Sequence, residues 1–451
     1  MPLNLAQIND ILVEHLREHG RVPGTTLAGL VRRHDPGFRP QDLGYLSFSD
    51  LLRDAVDGAV VVGRTGADVL WALGEGLDDR ALAQAMMEEE NATKPIAGDA
   101  LARVELEGFR SCRKVCLDLD DLTVLVGANG AGKTTLLLGT SYACQIRAGK
   151  IRALFSGARD LRRLRHTSHT GPVRFTLTTQ SGAEVSLTGT AGADEVSFVL
   201  THRARATSPR TRWTFPPPAG QKGVTASPVE GVSWPAVFLR LRSEALQTPA
   251  PIEDQHPRLD FDGSGLPAVL AYLATNEPGR LEEIIGRVRG LVPTVRRVRL
   301  PLRQVPTPDG SAERQFSYTL EVEFEGAGWI PADMVSEGTL FALGMHTVLG
   351  QPNPPKVLLM DDIDRGLHPR AQRTLIQQLL SVAESGTRLI VTSHSPYVLD
   401  EVPPENVRVV RSTPETGTLC RRLTDHPEWA AWQGSMKAGE FWSFVGEEWL
   451  E

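Results

Sequence analysis

Cysteine is scarce in this chain of 451 residues, which has four: Cys112, Cys116, Cys144 and Cys420. So few cannot build a disulfide framework, and Cys112 and Cys116 have no second Cys or His pair at zinc spacing. Ordinary thiols in a reducing cytoplasm are expected instead. Long apolar runs are missing too: no stretch reaches the roughly 18 residues that a membrane-spanning helix needs. The opening MPLNLAQIND has neither a basic nor an apolar signal region, so a cytoplasmic location with no membrane partner is expected. Lysine is rare, seven against 41 arginines, and the net charge is −7. That balance argues against a nucleic-acid binder that uses its whole surface. There is no HxH or HExxH motif, no acidic nuclease cluster, and no repeat at a period of roughly 20–50 residues.

What is present is enough apolar sequence for real cores: 41% hydrophobic and 23% charged residues. At roughly 100–200 residues per domain, the length predicts two to four domains. Residues 1–74 read as a small domain. Ile8, Ile11, Leu12 and Leu16 recur at helical spacing, and Thr25 or Thr26 is placed to cap a second helix, LAGLVRR. Ser47 or Ser49 would cap a third, carrying Leu51 and Leu52. The runs AVVVG and DVLWAL around a Gly turn predict a hairpin. Three helices and a wing make a winged helix. The run from Leu27 through Asp35-Pro36-Gly37-Phe38, Gly44-Tyr45 and Ser47-Phe48-Ser49-Asp50-Leu51-Leu52 resembles the OST-HTH/LOTUS family, whose members include RNA binders and protein adaptors. The domain has seven Arg and nine acidic residues, and Arg32, Arg33 and His34 are its one small basic patch. RNA binder and protein adaptor both stay open.

Residues 75–99, with DDR, MEEENATK and a proline, predict a charged linker. From Leu101 the pattern changes. LARVELEGF alternates as a strand, DDLTVLVG is a buried strand, and residues 173–201 predict an antiparallel meander. Residues 207–232, rich in Pro, Gly, Ser and Thr, predict a long loop. The segment 281–290 predicts a helix. Two strands follow, the second with Phe316, Tyr318, Leu320, Val322 and Phe324 on one face and Ser317, Thr319, Glu321 and Glu323 on the other. Beyond 336 the order is helix, strand VLLM, helix, strand RLIVT, strand VRVVR.

Four motifs carry chemistry. Gly127-Ala-Asn129-Gly130-Ala-Gly132-Lys133-Thr134 matches G-x-x-x-x-G-K-S/T between an apolar strand and a helix-compatible run. Glycines let the backbone curl so that N–H groups face phosphate oxygens, and the helix N-terminus adds its dipole. Lys133 would neutralise β/γ-phosphates, and Thr134 would hold Mg²⁺. In the strand ending Met360-Asp361-Asp362, Asp361 would hold Mg²⁺ through water and Asp362 would polarise the attacking water. Ser336-Glu337-Gly338 leads a helix that could present N–H groups to a γ-phosphate. His394, after RLIVT, could bond a γ-phosphate or the water.

In this order the motifs resemble the ATP-binding-cassette (ABC) ATPases, and within them the SMC/RecF-like and OLD-like heads. GFRSC (108–112), VSEGT and Asp361-Asp362-Ile363-Asp364-Arg365-Gly366-Leu367-His368-Pro369 carry that likeness over roughly 100–425. The resemblance implies an α/β head with a mixed sheet around the P-loop, an antiparallel β-lobe and a helical insert (about 145–330), preceded by the winged helix. It implies ATP and Mg²⁺ as cofactors. Gly127, Asn129, Gly130, Gly132, Lys133, Thr134 and Thr135 would form the P-loop, Asp361 the metal-side carboxylate and His394 the switch histidine, with Arg110 near the phosphates. Ser336, Glu337 and Gly338 would contact ATP held by the opposite subunit of a homodimer, either ATP-dependent or constitutive. The family's catalytic Glu is here Asp362, a methylene shorter. A misplacement of about 1 Å can cost on the order of a hundredfold, so slow hydrolysis and a long-lived ATP-bound dimer are expected. The family's Q-loop glutamine has three candidates, Gln145, Gln180 and Gln221.

Two arginine clusters could follow a phosphate backbone of DNA or RNA. One, with Arg287, Arg289, Arg296, Arg297, Arg299 and Arg303, puts Arg297 and Arg299 on one strand face. The other holds Arg159, Arg162, Arg163, Arg165 and His166. The competing reading pairs them with local acids such as Glu321 and Glu323. Residues 426–451 hold Trp429, Trp432, Trp442 and Trp449, which predicts packing on the head or on a partner. Only 57 residues follow His394, so a nuclease or other effector is expected as a separate protein, in phage defence or DNA maintenance.

Overall fold

A computed structural model of the chain describes residues 5–40, 48, 51–52, 56, 59–65, 68–73, 100–144, 161–191, 196–203, 210–215, 234, 236–252, 257, 259–306, 314–350 and 355–451. The chain divides into two compact units. One comprises Met1–Asp118, Leu138–Ala236 and Ser412–Thr418; the other comprises Leu119–Leu137, Val237–Arg411 and Leu419–Glu451.

At the start of the first unit, helices Leu5–His19 and Gly24–His34 precede the antiparallel strands Ala59–Thr65 and Asp68–Leu73. Ile8, Leu12 and Leu16 fall on one helical face and are buried with Leu27, Val31, Leu51, Leu52 and Trp71 in a core confined to residues 8–73. The second helix begins earlier than the threonines predict. Val22–Pro23 is tied to Trp71 and Leu70 as a short strand, so the helix starts at Gly24 without a side-chain cap. Ser47, Ser49 and the 75–99 linker lie outside the described residues.

The same unit holds a six-stranded antiparallel sheet in the order Arg210–Phe215, Val196–Arg203, Glu184–Ala191, Val173–Thr179, Leu101–Phe109, Cys112–Asp118. Phe109 and Phe175 meet edge-on at 5.3 Å in its core. Burial pushes the Cys112 thiol up to about 12. The long loop expected at 207–232 is partly wrong, because Arg210–Phe215 is a strand paired from Arg210↔Thr201 to Phe215↔Val196. Thr211, Trp213, Thr214 and Phe215 favour strands, and the surrounding Pro and Gly hid them.

The second unit is built on another six-stranded sheet, ordered Ala236–Leu239, Val357–Met360, Arg388–Thr392, Leu122–Val126, Val407–Thr413, Gly417–Arg422. Its four central strands are parallel. All of Leu122–Val126, Val357–Met360 and Arg388–Thr392 is buried, as strands covered on both faces must be. Two buried arginines clamp the entry to the P-loop strand: Arg408 pairs with Asp120 at 2.5 Å and Arg388 with Asp121 at 2.6 Å.

The paired strands after the helix Pro278–Leu291 each break in two. Val295–Arg299 pairs with Glu321–Phe324, whereas Leu302–Pro306 pairs with Arg314–Tyr318 in a different sheet. Pro301 has no N–H to continue a ladder, and at the break Thr319 N–H donates to the Pro301 carbonyl at 3.0 Å. The predicted alternation fails there: Phe316 is exposed, while Ser317 and Glu321 are buried.

In the helix Glu337–Leu349, every residue from Gly338 to Leu349 is buried. Among them is His346, whose ring nitrogens have no hydrogen-bond partner among the described residues. Burial, helped by the charge of Arg287, lowers its pKa to about 4; Gln378 opposes this without reaching hydrogen-bond geometry. The unfolded chain therefore takes up this proton near pH 6.5 and the folded chain only near 4, so stability falls as pH drops through that window. At about 1.4 kcal/mol per unit, the loss between pH 6.5 and 5 is roughly 2 kcal/mol. His346→Leu should flatten the pH dependence of the urea midpoint by that amount. Parallel profiles for the two proteins would refute the assignment.

The C-terminal segment packs through its aromatics. Phe441 lies 5.1 Å from Trp429 and 5.2 Å from His426, which also meets Trp449 at 5.0 Å. Gly439 N–H donates to Asp400 at 2.9 Å, and a Cβ there would stand 2.0 Å from the Pro396 carbonyl. This segment thus lies directly against the turn that follows His394.

Candidate nucleotide site

The P-loop strand ends at Val126, and the loop from Gly127 leads into the helix Lys133–Cys144. Gly127, Gly130 and Gly132 all have positive φ. Gly127 is required twice over, because its φ is +148° and a Cβ would lie 2.1 Å from the Val410 carbonyl oxygen. Asn129 and Gly130 are exposed at the tip. Lys133 is buried, and its Nζ donates to the carbonyls of Gly127 at 2.8 Å and Ala128 at 3.0 Å. Burial lowers its pKa from the ordinary lysine value, and the carboxylates of Asp362 and Asp361 oppose that. Thr135 is half-buried one residue beyond Thr134.

Parallel pairing brings three strand ends together at this loop. Thr134 Oγ1 donates to Asp361 Oδ2 at 2.9 Å, and Thr392 Oγ1 donates to Asp361 Oδ1 at 2.8 Å. The Thr392 hydroxyl also accepts the Asp362 backbone N–H at 2.8 Å. Arg240 Nε lies 3.6 Å from Asp361 Oδ2. Asp362 has φ +55°, a left-handed conformation that Asp and Asn tolerate better than Glu. Its carboxylate is 44% exposed, and Oδ1 stands 3.9 Å from His394 Nε2. Lys133, Thr134, Asp361, Asp362 and His394 are thus brought together at the end of the P-loop strand.

Ser336 precedes the helix Glu337–Leu349, and its hydroxyl lies 2.8 Å from that of Thr339. Glu337 pairs with Arg365 at 2.8 Å, and the Arg365 guanidinium covers the Phe341 ring. Gly338 lies against Gly366: a Cβ would stand 2.2 Å from the Gly366 carbonyl oxygen. The turn Asp362–Gly366 therefore runs from the carboxylate cluster to the Ser-Glu-Gly segment. Arg110 belongs to the first unit, where it has φ +47°, donates its N–H to Leu164 at 2.6 Å and lies over Phe109.

Sequence reasoning missed Thr392, Arg240 and Gln372. Gln372 Nε2 donates to the Leu367 carbonyl at 2.9 Å, and its Oε1 accepts from Ser395 Oγ at 2.5 Å. It joins the two loops that carry Asp364 and His394. Of the Q-loop candidates, Gln180 is in a hairpin turn, and Gln145 and Gln221 lie outside the described residues.

The nucleic-acid assignment of Arg297 and Arg299 is not supported. Arg297 makes two hydrogen bonds to Glu323, at 2.7 and 3.1 Å. Arg299 and Arg303 both pair with the buried Glu321. Trp329 stacks beneath Arg299 at 4.4 Å. Cross-strand register places each acid opposite its arginine, so a phosphate would have to displace carboxylates already paired. Arg32 and Arg33 are exposed in the last turn of Gly24–His34.

The donor set fits a nucleoside triphosphate with Mg²⁺. A buried amine is hydrogen-bonded to loop carbonyls, and a hydroxyl and a carboxylate supply the hard oxygens Mg²⁺ prefers. No helix among the described residues is long and apolar enough to cross a membrane.

None of the curated proteins matches the chain. Among solved structures, an SMC head bound to the C-terminal winged helix of ScpA is similar at 12% identity, covering 72% of this chain and 98% of its own, with a TM-score of 0.43. The SMC head from Thermotoga maritima is similar at 14%, with the same coverages and a TM-score of 0.37. An SMC head bound to ScpA derived from Pyrococcus furiosus gives 12%, 74%, 99% and 0.43. The family described as "AAA domain, putative AbiEii toxin, Type IV TA system" matches residues 122–400. That span exceeds half of the chain and contains the P-loop, the Ser-Glu-Gly helix, the aspartate pair and His394, and the protein belongs to this AAA-domain family.

Proposed function

We propose that the protein is a slow ATPase switch that dimerises head to head around two ATP molecules. The observation that carries this is the hydrogen-bonded chain Thr134–Asp361–Thr392–Asp362, which joins the P-loop helix to the strand ends where hydrolysis would occur. Thr134 and Asp361 would hold Mg²⁺, which when bound neutralises charge on the phosphate oxygens. Lys133 would exchange its loop carbonyls for β- and γ-phosphates, and Gly127, Asn129, Gly130, Gly132 and Thr135 would frame them. Asp362, with His394 beside it, would orient and polarise the water. Ser336, Glu337 and Gly338 would meet the nucleotide of the second subunit. The short Asp362 side chain makes hydrolysis slow.

The family's description names a putative toxin of a type IV system. We place the switch beside a separate effector such as a nuclease, in phage defence or DNA maintenance. The N-terminal module has its own core and, as a LOTUS-like winged helix, would recruit RNA or a protein, with Arg32 and Arg33 as its basic contacts. DNA or RNA that raises the ATPase rate would favour the nucleic-acid role; an indifferent rate would favour the adaptor.

Ser336 is exposed, so Ser336→Arg should leave monomer ATP affinity within about threefold yet abolish the ATP-dependent dimer, since an unpaired charge at an interface costs several kcal/mol. Titration calorimetry reads the first and sedimentation the second. A variant that still dimerises with ATP would remove Ser336 from the interface.

A further inference from the structure

We propose that Arg240 is a built-in counter-ion of the nucleotide site, which neutralises Asp361 while no metal is bound and is displaced as Mg²⁺ loads. This rests on the ATP reading above. The Asp361 side chain is 2% exposed, and its two hydroxyl donors, Thr134 and Thr392, are neutral. A buried carboxylate needs a positive charge nearby. Lys133 supplies positive charge at longer range, but its amine hydrogen-bonds the Gly127 and Ala128 carbonyls. Among the described residues, the cation in ion-pair range of Asp361 is Arg240.

Its Nε lies 3.6 Å from Oδ2, the oxygen that also accepts from Thr134. That oxygen and hydroxyl are the pair assigned to the metal, so guanidinium and Mg²⁺ would compete for one atom. The backbone around Arg240 is fixed: its N–H donates to the Phe261 carbonyl at 2.7 Å, and Asp361 N–H donates to the Leu239 carbonyl at 2.9 Å. The side chain is 61% exposed and is not held by packing. A fixed base and a solvent-facing guanidinium suit a group that must yield its place. The arrangement arises because Ala236–Leu239 is the sheet neighbour of Val357–Met360.

The test compares wild type, Arg240→Gln and Arg240→Lys by calorimetry with ATP, in excess Mg²⁺ and in EDTA. Without metal, Arg240→Gln leaves Asp361 to repel the triphosphate, and affinity should fall roughly tenfold or more; with Mg²⁺ it should change less than about threefold. Arg240→Lys should keep most of the metal-free binding. In the absence of nucleotide, Mn²⁺ followed by electron paramagnetic resonance should bind Arg240→Gln at least about threefold more tightly than wild type, because its competitor is gone. Equal losses with and without metal, no loss in EDTA, or a wild type that binds ATP only with metal would each overturn the proposal. A wild type that binds no nucleotide under either condition would overturn the ATP reading itself.

Discussion

Lys133→Ala should reduce ATP·Mg²⁺ affinity at least about a hundredfold, roughly 3 kcal/mol. The ammonium is the one lysine charge of the P-loop, and its present partners are two loop carbonyls. Those bonds orient it but do not consume its charge, and burial already lowers its pKa. A phosphate would satisfy the ammonium better than carbonyl dipoles do. Removing the amine costs the loop two hydrogen bonds as well as the phosphate contact, so circular dichroism must show the variant folded. Undiminished affinity in a folded variant would end the P-loop assignment.

Asp362→Asn should do the opposite to binding and far more to turnover. Asparagine tolerates the left-handed backbone at φ +55° as well as aspartate does, so the loop should persist and ATP affinity should hold or rise. The carboxylate that would take up the water's proton is gone, and hydrolysis should fall by about a hundredfold or more. ATP-bound dimers should then outlast those of wild type. Phosphate-release kinetics that match wild type would leave Asp362 without a catalytic role.

The P-loop and the aspartate pair were legible because each is a contiguous motif bounded by apolar runs. Fold order at the core was legible for the same reason, since buried parallel strands such as Leu122–Val126 and Val357–Met360 stand out as uninterrupted apolar sequence. Thr392 was not. It is the last residue of an apolar strand, and only the neighbouring strand order puts its hydroxyl between Asp361 and Asp362. Arg240 and Gln372 are likewise brought to this cluster by topology alone. For the arginine stripe, the reading that pairs it with Glu321 and Glu323 is the one the structure shows, each acid lying opposite its arginine on a strand more than 20 residues away in sequence. The break at Pro301 went unread although proline cannot continue a ladder, and the change of sheet also required its partner to bend at Thr319 and Leu320, which carry no turn signal. Strand Arg210–Phe215 was hidden by the loop-like composition around it.

Light scattering with and without ATP·Mg²⁺ tests the switch most directly. The protomer mass is 49.2 kDa. With ATP·Mg²⁺, Asp362→Asn should give a stable species of twice that mass, wild type a shorter-lived one, and Ser336→Arg none. A mass that ignores ATP and is the same for all three proteins would contradict the nucleotide-sandwiched dimer.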